Sequence, residues 1–225
     1  MLKLISRATP ASAVLFLLVS PAQAEDDLGA WLSVGGSGKL SDDVKFSGYI
    51  EARLTDDARH LNQFSASANV STPIAERLQI GGGYTYQLSN PVNGSDTHEH
   101  RPFQFLSVRL TAAGSQISLT TRTQLEERFR EESGGVALRL RQQVAASTPL
   151  NETVSAVVWT EPFFHLNRPG WLARSGLDQW RNFVGVDVDT KAIGTLRIGY
   201  LNQHSFRRGE DRTNHIASIG LRVDM

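Results

Sequence analysis

The chain has 225 residues, with 23 Lys and Arg against 23 Asp and Glu, no cysteine, and a slightly negative mean hydropathy. The charge balance argues against a nucleic-acid partner, and the lack of cysteine excludes disulfides and thiolate metal sites as the source of stability. After the first two dozen residues no apolar run approaches the length of a membrane helix, so a helical membrane protein is excluded too.

The chain opens with Lys3 and Arg7, continues through an apolar run from Ala11 to Val19, and reaches Ala22-Gln23-Ala24 ahead of the acidic Glu25-Asp26-Asp27. These are the three regions of a secretory signal peptide. Residues 1–24 are read as that leader, cleaved after Ala24, and residues 25–225 as one exported domain. Losing Lys3 and Arg7 leaves 21 basic against 23 acidic residues, a net charge of −2.

The mature chain reads as strands, each with one apolar and one polar face at a period of two. The first covers roughly Leu28 to Lys39, with Leu32 and Val34 on one side, and Ser41-Asp42-Asp43 turns the chain. In the second, Phe46, Gly48, Ile50, Ala52 and Leu54 oppose Lys45, Ser47, Tyr49, Glu51 and Arg53. Phe64, Ala66, Ala68 and Val70 alternate with Gln63, Ser65, Ser67 and Asn69 in the third. A turn at Pro73 leads to the fourth, where Leu78, Ile80, Tyr84 and Tyr86 oppose Gln79, Gly81, Gly83, Thr85 and Gln87. Inward glycines there make room for long side chains of neighbouring strands. After the polar loop Ser89–Thr97, Gln104, Leu106, Val108 and Leu110 face away from Arg101, Phe103, Phe105, Ser107 and Arg109.

The stretch Ile117–Ala146 is the clearest hairpin. Ile117, Leu119, Thr121, Thr123, Leu125 and Phe129 share one face, and Arg122, Gln124, Glu126, Arg128 and Arg130 the other. Beyond Ser133-Gly134-Gly135, Val136, Leu138, Leu140 and Val144 oppose Arg139, Arg141 and Gln143. The competing reading of Gln124–Glu132 is a salt-bridged surface helix, but it has no apolar stripe beyond Leu125 and Phe129. Further on, Val154, Ala156 and Val158 oppose Trp159, Glu161 and Phe163, with Pro162 near the strand's end. Trp180, Val184, Val186 and Val188 then oppose Gln179, Arg181, Gly185 and Asp187. Leu196, Ile198 and Tyr200 oppose Arg197, Gly199 and Gln203, and the last strand carries Ala217, Ile219, Leu221 and Val223.

No second layer is available to cover the greasy faces, so lipid covers them. The predicted fold class is therefore all-β: a single antiparallel transmembrane β-barrel of about 10–12 strands with a polar, Arg/Glu-lined lumen. Connections near Asp42, Pro73, Gly114, Pro149 and Lys191 are tight. Those near Asp57, Asn93, Ser133, Pro169 and Glu210 are on average longer, as in barrels with short periplasmic turns and long outer loops. Eleven strands are counted, whereas single-chain bacterial barrels carry an even number. Either Leu28–Lys39 lies in the lumen or at the rim, leaving ten, or two strands are merged and there are twelve.

Ser218, Gly220, Val223 and Met225 resemble the C-terminal signal read by the outer-membrane barrel assembly machinery, with Met225 in place of the usual terminal Phe. A wider pattern is carried by Trp31, Glu51 and Arg53, Gly82–Tyr84, Arg101 with Phe103-Gln104, Arg122–Phe129, Arg139 and Arg141, Glu161, Asp178–Arg181, and Gly199–Gln203. It resembles the uncharacterised family called domain of unknown function 2490 (DUF2490), whose members look like small outer-membrane barrels. The resemblance implies a bacterial outer-membrane location and no activity.

Arginine outnumbers lysine eighteen to three in the mature chain, mostly on the polar strand faces. A lumenal ion-pair network of Glu51, Arg53, Arg101, Arg122, Glu126, Arg128, Arg139, Arg141, Glu161, Arg181 and Arg197, with Asp187, is expected. It suits either a closed structural barrel or a narrow, porin-like channel for a small anionic solute. The alternative is an outer-membrane lipid or peptide hydrolase at the extracellular rim. His60, His98, His100, His165, His204 and His215 are all placed near that rim with acidic neighbours Asp56, Asp96, Glu99 and Asp211. Against it, no nucleophile motif or metal-ligand spacing is present, so these read as solvated loop histidines, and neither a cofactor nor a metal is expected. Trp159, Phe163, Phe164, Trp171, Tyr200 and Phe206 are read as an interfacial belt in contact with outer-membrane lipid.

Overall fold

The computed structural model describes residues 27–225, and the leader reading of residues 1–24 lies outside the described residues. Eleven strands account for the fold: β1 (Asp27–Lys39), β2 (Lys45–Thr55), β3 (His60–Ala75), β4 (Leu78–Ser89), β5 (Thr97–Arg109), β6 (Ser118–Arg130), β7 (Val136–Pro149), β8 (Val154–His165), β9 (Gly176–Asp189), β10 (Thr195–Ser205) and β11 (Arg212–Asp224). Each pairs antiparallel with the next in sequence, and β1 closes the barrel by pairing parallel with β11.

The parallel seam follows from the odd strand number, because in an up-and-down barrel the first and last of eleven strands run in the same direction. It corrects both expectations built on even parity. Leu28–Lys39 is neither in the lumen nor at the rim. It is hydrogen-bonded on both edges, with Leu32 opposite Ala52 on β2 and Ile219 on β11. Nor are two strands merged, and the barrel is mixed, not purely antiparallel.

One rim carries the connections 56–59, 90–96, 131–135, 166–175 and 206–211, and the other 40–44, 76–77, 110–117, 150–153 and 190–194. The length asymmetry expected between the rims is only an average, since 110–117 is longer than 56–59. The seam puts the start of β1, paired with the start of β11 at Asn214, on the first rim, while Asp224 ends on the second.

The two-residue alternation decides what faces where. Leu32, Val34, Ile50, Val70, Ile80, Leu106, Val158, Val184, Ile198 and Ile219 are exposed on the outer wall. The Gln124–Glu132 helix alternative fails because Ser118–Arg130 is a strand paired along both edges. Proline interrupts two ladders: β5–β6 skips Arg101-Pro102, and β7–β8 skips Glu161-Pro162, where the missing N–H has no partner to lose. Inward glycines do make room, in this case for rings. A Cβ on Gly185 or Gly199 would collide with Phe183, and one on Gly83 with Phe103.

The seam is open to a register test by paired cysteines. Ala30→Cys with Ala217→Cys, and Val34→Cys with Leu221→Cys, are expected to cross-link on oxidation, since these residues face each other across the parallel pair. Ala30→Cys with Leu221→Cys is expected not to. Non-reducing gel mobility of the unfolded chain reads the result, and the reverse pattern would mean that β1 does not close the barrel in this register.

Candidate functional site

The lumen has two unlike walls. Five neighbouring strands, β8, β9, β10, β11 and β1, contribute Val157, Phe183, Leu201, Ile216 and Trp31 to one buried apolar cluster, with Trp159 packed against it. Trp159 and Phe183 stack with centroids 5.4 Å apart and planes 11° from parallel. The other wall, from β2 to β8, is polar and carries most of the charge, to which β9 and β10 add Arg181, Asp187 and Arg197. Trp159 and Phe163, expected in an outer belt, instead belong to the interior, and Phe163 is fully buried. They point inward because they share the parity of Glu161.

At mid-barrel Glu126 is the hub, 3% exposed. Arg139 on β7 donates to its Oε2 from both Nε and Nη2, and Arg141 Nη1 donates to its Oε1 at 2.7 Å. Arg141 also reaches Glu161 on β8 at 2.8 Å. Gln124 donates to Glu126 Oε1, which leaves no face of this carboxylate unsatisfied. Toward the longer-loop rim, Glu99 receives Arg101 at 2.8 Å and Arg128 at 2.9 Å. Toward the other rim, Arg197 holds Asp187 at 2.6 Å. Arg53 pairs with Glu51 at 2.6 Å and lies 4.0 Å above the Trp31 ring.

Of the eleven charged residues picked from the sequence, ten line cavities of the interior and Arg122 lies over the Phe105 ring, and their pairing is unequal. Arg53, Arg101, Arg128, Arg139, Arg141 and Arg197 each bridge a carboxylate. Among the described residues Arg122, Arg130 and Arg181 have no carboxylate within ion-pair distance. They lie instead over aromatic rings: Arg122 over Phe105 at 3.8 Å, Arg130 over Trp171 at 5.4 Å, and Arg181 over Phe163 at 4.5 Å and Trp31 at 4.8 Å.

Three cavities follow one another along this interior. One of about 500 Å³ opens toward the longer-loop rim, one of about 220 Å³ lies at mid-barrel, and one of about 320 Å³ opens toward the opposite rim. The first two share Trp31, Arg53, Arg101, Arg139 and Arg181 as walls, and the last two share Tyr49 and Arg197.

Sequence reasoning missed Glu99, which it placed at the rim beside histidine. The signal was present in an acid two residues before an arginine on the inward face, the spacing that also joins Glu51 to Arg53. His165 was misplaced as well. It is 3% exposed inside the barrel, accepts from Arg128 Nη1 at Nε2 (2.7 Å), and turns Nδ1 toward Asp178 at 3.4 Å. Asp178 reaches the lumen because the β8–β9 register shifts beside it.

The other five histidines do not converge. His98 and His100 meet Tyr86 and Tyr84 across β4 and β5, and His100 also contacts Glu131 at 2.8 Å. His215 meets Tyr200 at 2.6 Å, His60 meets the Asn90 carbonyl, and His204 meets Asp211 at 3.2 Å. Asp211 also accepts the Arg207 backbone N–H, which holds its carboxyl below the ordinary range. Among the described residues no group of three His, Cys, Asp or Glu side chains is placed to hold a metal ion. In the terminal segment, Ser218 lines the mid-barrel cavity, while Val223 and Met225 are exposed. Gly220 sits against Ser33 across the seam.

The family described as protein of unknown function (DUF2490) matches residues 28–214, and the chain belongs to it. An uncharacterized protein of Methylorubrum extorquens is 29% identical over 224 residues, which cover 97% of each chain. Among solved structures, the NanC porin resembles the barrel with a TM-score of 0.52 and 11% identity, covering 85% of this chain and 93% of that one. That likeness is one of fold.

Removing the hub tests its weight. Glu126→Gln strips two buried guanidiniums of their shared anion and is expected to cost about 3–5 kcal/mol. Asp187→Asn, in the more exposed pair, is expected to cost under about 1 kcal/mol. Urea unfolding of the refolded barrel compares the two, and equal losses would remove Glu126 from its central position.

Proposed function

We propose that this DUF2490 barrel spans the bacterial outer membrane as a narrow pore that favours small anions. The observation that carries the reading is Arg181. It lines both the mid-barrel cavity and the larger one beside it, and no carboxylate within ion-pair distance neutralises it. Arg122 and Arg130 add further positive charge that is not directly bridged. A ring of cationic side chains at a constriction lowers the cost of passing an anion and raises it for a cation.

Support for the membrane comes from the outer wall, where strands of 11 to 16 residues present continuous aliphatic side chains. That is ample length for a tilted strand to cross the hydrocarbon layer. The tyrosine–histidine pairs suit an interfacial level beside lipid headgroups. Ser218, Gly220, Val223 and Met225 would serve the assembly machinery during insertion, and outer-membrane lipid would be the standing partner.

The reading predicts that the protein fractionates with the outer membrane and migrates faster on gels before heating than after. Proteoliposomes carrying it are expected to swell several-fold faster in isotonic glutamate than in isotonic lysine, and Arg181→Gln to reduce that ratio. Absence of swelling in any solute would favour a closed structural barrel instead.

A further inference from the structure

The mid-barrel cavity has a composition that a path for simple ions does not require. Its one side is charged, while Trp31, Trp159, Phe183 and Leu201 form the other. We infer that this cavity is a binding seat for a small ring-bearing carboxylate, with Arg181 receiving the carboxylate and the aromatic wall receiving the ring. The inference rests on the pore reading for the route by which such a solute arrives.

Arg181 is free for this role because of how its neighbours are paired. Its cross-strand partner on β8 is Glu161, the obvious counter-ion. Glu161 instead gives Oε1 to Arg141, at 3.0 Å from Nε and 2.8 Å from Nη2. Arg181 keeps one hydrogen bond, from Nε to Gln203 Oε1 at 3.0 Å. Its two Nη groups remain as parallel donors, the arrangement that holds a carboxylate by two bonds. Arg181 is 8% exposed, and the rings of Trp31 and Phe163 hold the guanidinium in place. A site with a guanidinium already ordered and desolvated loses little on receiving an anion.

The aromatic wall specifies the rest of the ligand. Trp159 is only partly buried, and it lines the cavity together with Phe183, on which it stacks. A ring lying against Trp159 adds apolar burial and ring contacts that acetate or phosphate cannot make. The volume of about 220 Å³ is enough for a single small ring.

The test is calorimetric titration of the refolded mature chain in detergent micelles with benzoate, acetate and inorganic phosphate, which needs no conduction. Benzoate is expected to bind about tenfold more tightly than either of the others. Arg181→Gln is expected to abolish its binding and Arg168→Gln, on an exposed loop, to leave it unchanged. Arg181→Lys keeps the charge without the paired donors, so it covers a Gln variant that fails to fold. It is expected to weaken benzoate about tenfold. Equal affinity for all three anions, or no binding by the wild type, would overturn the seat. Binding by a barrel that passes no solute would uphold the seat and sink the pore, whereas conduction without benzoate binding would do the reverse.

Discussion

Everything in this barrel answers to the cost of holding guanidinium groups in a lumen too narrow to hydrate them fully. A buried charge is costly unless an opposite charge and hydrogen bonds, or the face of an aromatic ring, stand beside it. Glu126 meets that condition for Arg139 and Arg141 together, and Arg141 carries the link on to Glu161. The chain of pairs therefore ties β6, β7 and β8 at one level. A slip of one residue on any of these strands would turn its charges toward the apolar outer wall. The ion pairs thus fix register as well as neutralise charge.

The same requirement accounts for the two-walled interior. Where β2 to β8 bring mostly polar and charged groups, β9, β10, β11 and β1 bring rings and aliphatic groups that pack beside the charged Arg181, Asp187 and Arg197. Trp31 stands where the walls meet and is touched by Arg53 and Arg181. Cation–π contact with ring faces lets Arg122, Arg130 and Arg181 stay ordered without a carboxylate. The excess positive charge that results is a property of the fold's interior, and the pore reading depends on it.

Much of the architecture was legible because each wall strand has one face against apolar surroundings and one against charge, which is the strongest pattern a sequence offers. The inward residues from Glu51 on β2 to Arg197 on β10 were assigned by that parity alone. Closure was not legible, since alternation within β1 says nothing about which strand lies beside it, and parity arguments from other barrels pointed to ten or twelve strands. Asp178 was hidden for a different reason: a register shift beside Phe163 and Phe164 lets two successive residues, Asp178 and Gln179, line one cavity. Nothing in the local sequence marks such a shift. His165 followed the inward parity of Phe163, but its place at the end of β8 made it resemble a loop residue.

The most direct measurement is single-channel recording of the refolded barrel in a planar bilayer across a salt gradient. A narrow anion-favouring pore is expected to give small, steady steps with a reversal potential on the anion-selective side. A protein that is inserted and heat-modifiable yet electrically silent would contradict it, as would steps with cation selectivity.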